Sequence, residues 1–305
     1  MNTKNSAFFV CFLTILLKCR SSGTSILRNA GRHFIVHKGG DGLRIAVLVK
    51  QVPDTDEVKM DPERKTMMRD GVGGIVNPLD LNALEAAMQL RKEGGEVIVV
   101  SMGPPKAEES LRECLALGAD RAFLATDVAF AGGDSWATSQ VLVAALRRVG
   151  VPDLILAGEK ATDGETGQVG PEVAALLGFP VVNHVTGIRV AADGMEVTST
   201  LEEGILVQRV VPPCLVTVQS DINTPPLPTL AGKKRSYSID VDLYSSADLA
   251  VEKGRVGLSS SPTRVVKISH PKITRRTEKF LAKHVAELET GISRIIEILA
   301  ESSIA

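Results

Sequence analysis

Cysteine is scarce in this chain: 4 residues in 305, Cys11, Cys19, Cys114 and Cys214, and no C-x-x-C pair. That count excludes a disulfide framework and a zinc centre of the usual ligand spacing. None of the 5 histidines stands beside a cysteine. Redox chemistry, where present, must then come from a bound organic cofactor. Aromatics make up only 4 %, with a single tryptophan, Trp136, which reads as a core residue. Long hydrophobic runs are missing too. Ala7–Leu17 is shorter than the ~20 apolar residues of a spanning helix, so stable membrane insertion is not expected.

No charge of one sign dominates either, the formal net being −1. The distribution is uneven. Residues 1–42 hold Lys4, Lys18, Arg20, Arg28, Arg32 and Lys38 against Asp41 alone, which leaves 29 basic and 35 acidic side chains, net −6, for the remainder. Such a body does not suit nucleic acid as a partner. The basic segment 1–42 reads as a leader. A secretory h-region fits its apolar length, and an import peptide fits its charge balance. The preferred reading is that it is untranslated: Lys38-Gly39-Gly40-Asp41-Gly42 can be encoded by codons spelling a bacterial ribosome-binding site, with Leu43 then a TTG start.

What is present is a regular alternation. Ile45–Val49 is an unbroken apolar run, the mark of a strand buried on both faces. Asn77-Pro78 supplies a helix N-cap and a proline at the first helical position, before a helix reaching about Lys92. Then follow a strand at Val97–Val100, a helix at Ala107–Leu117 closed by Gly118, a strand at Ala122–Ala125, a helix at Ser135–Val149, a strand at Leu154–Gly158 and a helix at Val169–Leu177. Strands alternating with helices at this spacing imply right-handed βαβ units, hence an α/β fold with a doubly wound parallel sheet and ligands at the strands' carboxyl ends. From Val181 the texture becomes antiparallel, with short strands at Ile188–Val190, Glu196–Leu201 and Leu206–Val211, and a return to the core through Leu215–Val218.

Three parts are expected: the leader 1–42, a nucleotide-binding α/β domain 43–222, and an extended C-terminal arm 223–305. The arm contains Pro225-Pro226-Leu227-Pro228, the basic run Lys233-Lys234-Arg235, and a final helix striped by Leu281, Val285, Leu288, Ile292, Ile295 and Leu299. That stripe suits packing on a partner or on the chain's own body.

The stretch Asp163-Gly164-Glu165-Thr166-Gly167-Gln168-Val169-Gly170-Pro171 follows the apolar run Leu154–Gly158 and opens a helix. Glycine lets backbone amides approach a phosphate, and Thr166 and Gln168 are able to donate to its oxygens. An ordinary strand-to-helix turn has much the same composition. Asn77-Pro78-Leu79-Asp80 and Met102-Gly103-Pro104-Pro105 read alone as a cap and a turn, yet both follow strand ends and would face the same crevice. Three loops with backbone polar groups and few charges suit an adenine nucleotide. No nucleophile–base pair is recognisable; Cys114 and Cys214 read as buried small hydrophobes.

From Leu43 to about Lys272 the chain resembles the β subunit of electron transfer flavoprotein. The matching stretches are Val49-Lys50-Gln51-Val52-Pro53-Asp54-Thr55, Asn77-Pro78 with Ala83-Leu84-Glu85-Ala86-Ala87, Ser101-Met102-Gly103-Pro104-Pro105, Ala116-Leu117-Gly118-Ala119-Asp120, and the long loop Asp163–Pro171. Its forms are most similar to the bacterial electron-bifurcating type. The resemblance implies an electron carrier subunit, not an enzyme, in a cytoplasmic heterodimer with an α subunit that holds FAD. It also implies FAD, or alternatively AMP, in the β-subunit crevice. The cofactor contacts it implies are Leu48, Asn77, Pro78, Leu79, Asp80, Met102, Asp163, Gly164, Glu165, Thr166, Gly167, Gln168, Val169 and Gly170. Leu230 is the implied anchor for a flavin dehydrogenase, and ferredoxin or flavodoxin are the implied acceptors of a bifurcating form. A genuine transit peptide at 1–42 would instead place the protein in the mitochondrial matrix. Two departures stand out: Glu159-Lys160 where related bifurcating sequences carry Arg-Gln, and a short basic run after Leu230.

Two other functions fit parts of the pattern. Ala131-Gly132-Gly133-Asp134-Ser135 resembles the Ser-Gly-Gly-x-Asp-Ser loop of ATP pyrophosphatases, without its leading serine and after the third strand instead of the first. A cap on the following helix is the simpler use of Asp134-Ser135. A nucleotide-sensing stress-type module would predict a homodimer, against which the long arm argues.

Overall fold

The structure, a computed structural model, describes residues 15–18, 24–29, 32–37, 42–54, 73–91, 94–191, 194–266, 281 and 283–301. Most of the proposed leader, Thr55 and the arm segment 267–280 lie outside these residues. Two compact units are distinguished, 1–265 and 266–305. Within the leader, the backbone of Ile15–Lys18 (β1), Thr24–Asn29 (β2) and Arg32–His37 (β3) forms a small antiparallel sheet.

The body is built on a 9-stranded sheet. Its first strand, Arg44–Leu48 (β4), is followed by a small antiparallel pair, Gln51–Pro53 (β5) with Gly74–Val76 (β6), and then by helix Pro78–Leu90 (α1). Glu96–Met102 (β7), Glu108–Leu117 (α2), Arg121–Ala125 (β8), Ser135–Val149 (α3), Leu154–Gly158 (β9) and Val169–Leu177 (α4) continue the alternation. Val181–Ala191 (β10), Gly194–Leu201 (β11) and Gly204–Val210 (β12) make an antiparallel meander, and Cys214–Val218 (β13) returns to the centre. Leu230–Ser236 (α5) and Val241–Tyr244 (β14) follow. The strand order is β12-β11-β10-β13-β9-β4-β7-β8-β14, all pairs from β10 to β14 being parallel.

The period of two along each strand explains the layers. Ile45 and Val47 of β4 join Val97, Val99, Leu154 and Leu156 in one core with α1 and α2, through Ala83, Leu84, Leu111 and Leu115. Ala46 and Leu48 face the other way, into a second core with Ile98, Val100 and Ile155, covered by α3 and α4 through Val141, Leu142, Leu146 and Val173. Because both faces of the sheet are covered, the central strands are apolar without alternation, and β4, β7, β9 and β13 show no polar face. Cys114 and Cys214 are both free and fully buried, and burial pushes the Cys214 thiol up to about 12. They are inert packing residues, as their positions in the sequence suggest.

Two details depart from the sequence reading. Trp136, expected in the core, is 38 % exposed at the start of α3. The stretch after Asp221, read as an arm with no regular element before its final helix, carries α5 and gives the sheet its edge strand β14, which aligns Val241 with Ala122 and Tyr244 with Ala125. A tight approach brings α5 against α2: a Cβ on Gly232 would stand 2.2 Å from the Ala116 carbonyl oxygen. The last helix, Val285–Glu301 (α6), belongs to the second unit, and Leu288, Ile292, Ile295 and Leu299 on it are exposed.

Candidate functional site

After β4 the chain moves outward through β7 and β8, then returns to lay β9 on the opposite side of β4. The loops following β4 and β9 therefore diverge to opposite faces, which opens a crevice between their carboxyl ends. The residues singled out in the sequence gather there. Leu48 is the buried last residue of β4, and α1 starts directly over the end of β9: a Cβ on Gly158 would meet Asp80 Oδ1 at 2.5 Å and Leu79 Cβ at 2.7 Å. Only glycine lets the two elements come this close.

Asp80 ties the crevice together. Its carboxylate is 6 % exposed; Oδ2 accepts the Lys50 N–H at 2.8 Å and Oδ1 the Gly158 N–H at 3.1 Å, so one side chain binds the first residues beyond β4 to the last of β9. Burial pushes this carboxyl up to about 7, opposed by hydrogen bonds from Asn77 and the two backbone amides and by the Lys50 charge. Asn77 works in the same way. It makes no side-chain cap for α1; its Nδ2 donates to the Lys160 carbonyl at 3.0 Å and its Oδ1 accepts the Thr162 N–H at 3.2 Å. Both residues hold the loops in place through their side chains.

Lysines neutralise the two carboxylates of the long loop. Lys50 Nζ donates to Asp163 Oδ1 at 2.6 Å, where the carboxylate is 3 % exposed, and Lys160 Nζ lies 3.5 Å from Glu165 Oε1. What remains on offer is backbone. Gly164, Glu165, Thr166 and Gln168 are exposed, and among the described hydrogen bonds none uses the amides of Gly164, Thr166 or Gly167. Glu165 and Gly167 have φ of 51° and 63°, both in the left-handed region. Behind them α4 starts at Val169 with its unpaired N-terminal amides, and Gly170 allows that helix against β13, where a Cβ would stand 2.8 Å from Thr217 Cγ2. Free amides, a helix N-terminus and neutralised acids fit the phosphate of an adenylate. Met102, also expected here, closes β7 on the far side of β4; no hydrogen bond among the described residues joins it to the loop.

Sequence reasoning missed several participants. Lys50 was visible only as part of a motif, although its place directly beyond β4 was a signal. His184 has φ of 57° at an irregularity between Val182 and Val185 of β10, and its Nδ1 lies 3.2 Å from Glu159 Oε1, an ion pair only when the imidazole is protonated. The two residues of the Glu159-Lys160 departure are thus each turned to a partner of their own, His184 and Glu165. Ser135 and Glu172 also belong here: Ser135 Oγ stands 2.9 Å from Gln168 Oε1 and 3.1 Å from Glu172 Oε1.

The other glycine loop, Ala131–Ser135, is used differently. Asp134 caps α3 by accepting the Ala137 N–H at 3.0 Å, and its other oxygen accepts the Thr263 N–H at 2.9 Å and hydroxyl at 2.8 Å. Its own N–H donates to Ser261 Oγ at 2.9 Å. Burial alone would raise this carboxyl, but the donors from Ala137, Thr263 and Ser261 together hold it below the usual carboxylate range. The loop is thus used to cap α3 and to hold the segment 261–263 of the same chain.

Comparison with known proteins gives the same family. Residues 65–244 match the Electron transfer flavoprotein domain. The chain belongs to the electron transfer flavoprotein family. It is 45 % identical over 231 residues to "Caffeyl-CoA reductase-Etf complex subunit CarD" of Acetobacterium woodii, covering 75 % of this chain and 88 % of that one. It is 42 % identical over 259 residues to "Electron transfer flavoprotein subunit beta" of Thermoanaerobacterium thermosaccharolyticum (84 % and 98 %), and 39 % identical over 265 residues to "Protein FixA" of Azorhizobium caulinodans (84 % and 94 %). The likeness is to the β subunit, and the role is electron transfer within a two-subunit flavoprotein. Among the described residues no cluster of His, Cys, Asp or Glu could hold a metal, and no helix is long and apolar enough to cross a membrane.

Leu230, the expected partner anchor, is 86 % exposed at the start of α5, with Thr229 Oγ1 accepting the Gly232 N–H at 3.0 Å. The basic run after it divides. Arg235 donates to the Leu115 and Ala119 carbonyls at 2.7 and 2.8 Å, fixing α5 on α2, while Lys233 and Lys234 are exposed.

Proposed function

We propose that this chain is a cytoplasmic β subunit that carries electrons only in complex with an α subunit, without a catalytic residue of its own, and that its crevice holds the adenylate portion of FAD or of AMP. The observation that supports this most directly is the loop 163–170, whose two acids are neutralised by Lys50 and Lys160 and whose amides at Gly164, Thr166 and Gly167 have no partner among the described residues. Those amides and the start of α4 would receive phosphate, with Leu48, Asn77, Pro78, Leu79, Asp80, Glu165, Gln168, Val169 and Gly170 forming the remaining wall and Met102 its far side. When bound, a flavin would supply the redox chemistry. The chain's part is to bind, orient and shield it. Leu230, with Lys233 and Lys234 beside it, is the surface we assign to a flavin dehydrogenase. The apolar stripe of α6 is assigned to the α subunit, and residues 1–42 to a leader absent from the working protein.

Whether the crevice carries FAD, and so supports bifurcation to a ferredoxin or flavodoxin, is a matter of stoichiometry. Co-purification with the α subunit, release of bound nucleotides by denaturation and their quantification decide it. Two flavins per heterodimer are expected for a bifurcating form; one flavin and one AMP indicate a simple carrier. A complex containing no adenine compound beyond the α-subunit FAD would overturn the assignment of the crevice.

A further inference from the structure

A count of protons at the head of α4 assigns an orientation to Gln168. Ser135 Oγ faces two acceptor positions, Gln168 Oε1 at 2.9 Å and Glu172 Oε1 at 3.1 Å, while Ser139 Oγ lies 2.9 Å from Glu172 Oε2. A hydroxyl has one proton, and a carboxylate only accepts. Were the Ser135 proton given to Gln168, its oxygen lone pairs would face the charged carboxylate across 3.1 Å with nothing between them. Given to Glu172, it makes a charge-assisted bond, the stronger of the two kinds. Ser135 then has only lone pairs left for Gln168. A half-turn of the amide, which leaves its shape unchanged, presents Nε2 to Ser135 and completes the chain Gln168 to Ser135 to Glu172, each donating to the next. The same half-turn moves Oε1 to the other side of an exposed residue standing at the end of the crevice loop.

We propose that Gln168 offers its carbonyl oxygen, an acceptor, to the occupant of the crevice, and so selects a hydroxyl or amine donor of the nucleoside instead of a phosphate oxygen. Ser135 and Glu172 are positioning residues: they fix the amide and touch no ligand. This reverses the sequence expectation that Gln168 donates to phosphate, and leaves that task to Thr166 and the loop amides. The inference rests on the adenylate reading of the crevice.

The test is calorimetric titration of the α/β complex, stripped of nucleotide, with adenosine and with AMP as probes. Gln168→Glu keeps an acceptor and lacks a donor; Gln168→Leu lacks both. Adenosine should bind Gln168→Glu within about twofold of wild type and Gln168→Leu about five- to tenfold more weakly, the size of one net hydrogen bond. Ser135→Ala, which releases the amide, should weaken adenosine about threefold. Gln168→Glu losing as much adenosine affinity as Gln168→Leu would overturn the proposal, and so would a Gln168→Leu complex that binds both probes like wild type. Binding of AMP without measurable binding of adenosine overturns it too. If neither probe binds the wild-type complex, the underlying adenylate reading fails along with it.

Discussion

Two glycine-rich loops lead from adjacent βα units of one sheet into helices, and they have opposite fates. Ala131–Ser135, after β8, has its N–H groups taken up by Asp134 and Ser261 of the same chain, and Thr263 donates to the Asp134 carboxylate. The loop 158–170, after β9, is held from behind by Asp80, Asn77 and Lys50, and its amides at Gly164, Thr166 and Gly167 have no partners among the described residues. Glycine content therefore does not mark a ligand site by itself. What distinguishes the two is whether the chain supplies its own acceptors. The second loop also lies at the reversal of strand order and the first does not.

That contrast can be broken most severely at Gly158. Any side chain there meets Asp80 Oδ1 and Leu79 inside van der Waals contact, so Gly158→Val should separate α1 from β9. We expect a loss on the order of 3 kcal/mol in urea unfolding and no measurable AMP binding, with the arm still protected from protease. A smaller effect is expected from Asp80→Asn. The folded carboxyl keeps its proton up to about pH 7, while an unfolded one releases it near its ordinary value of 3.8. Between these values the folded state binds more protons, so its contribution to stability is complete below about pH 4 and is lost as pH rises through 7. The variant should lose that slope in denaturation measured at pH 5 and 7. It should also be destabilised by about 1 to 3 kcal/mol at the lower pH, since an amide cannot accept from both Lys50 and Gly158. Asp134→Ala sharpens the comparison from the other loop. Removing a cap and a latch should cost about 1 to 2 kcal/mol and expose 257–265 to limited proteolysis, with AMP affinity falling by no more than the roughly threefold expected of a disturbed Ser135. A larger fall would mean that the two loops are not independent.

Much of this was legible in residue order. The runs Ile45–Val49, Val97–Val100 and Leu154–Gly158 were readable as strands because burial on both faces removes any polar position, and the loops at the strands' carboxyl ends followed from the alternation itself. β14 was not readable: Val241-Asp242-Leu243-Tyr244 is short, half polar and set among serines, so it acquires its state from pairing with β8. The site divided similarly. Residues that offer backbone, such as Gly164, Thr166 and Gly167, announced themselves by composition. Those that act through side chains across distant segments, such as Asp80 on Gly158 or His184 on Glu159, depend on which strands become neighbours, and no local spacing encodes that.

Ser261 and Thr263 close the cap of α3 from a stretch that composition alone would class as linker. A truncation series meant to map subunit contacts will meet an unintended boundary there. A chain cut before Ser261 uncovers Asp134, loosens the start of α3, and disturbs Ser135 one residue on. Losses seen on such deletion would then report damage at the crevice beside α4 as readily as a missing grip on another subunit, and shortened chains should be ended after Thr263.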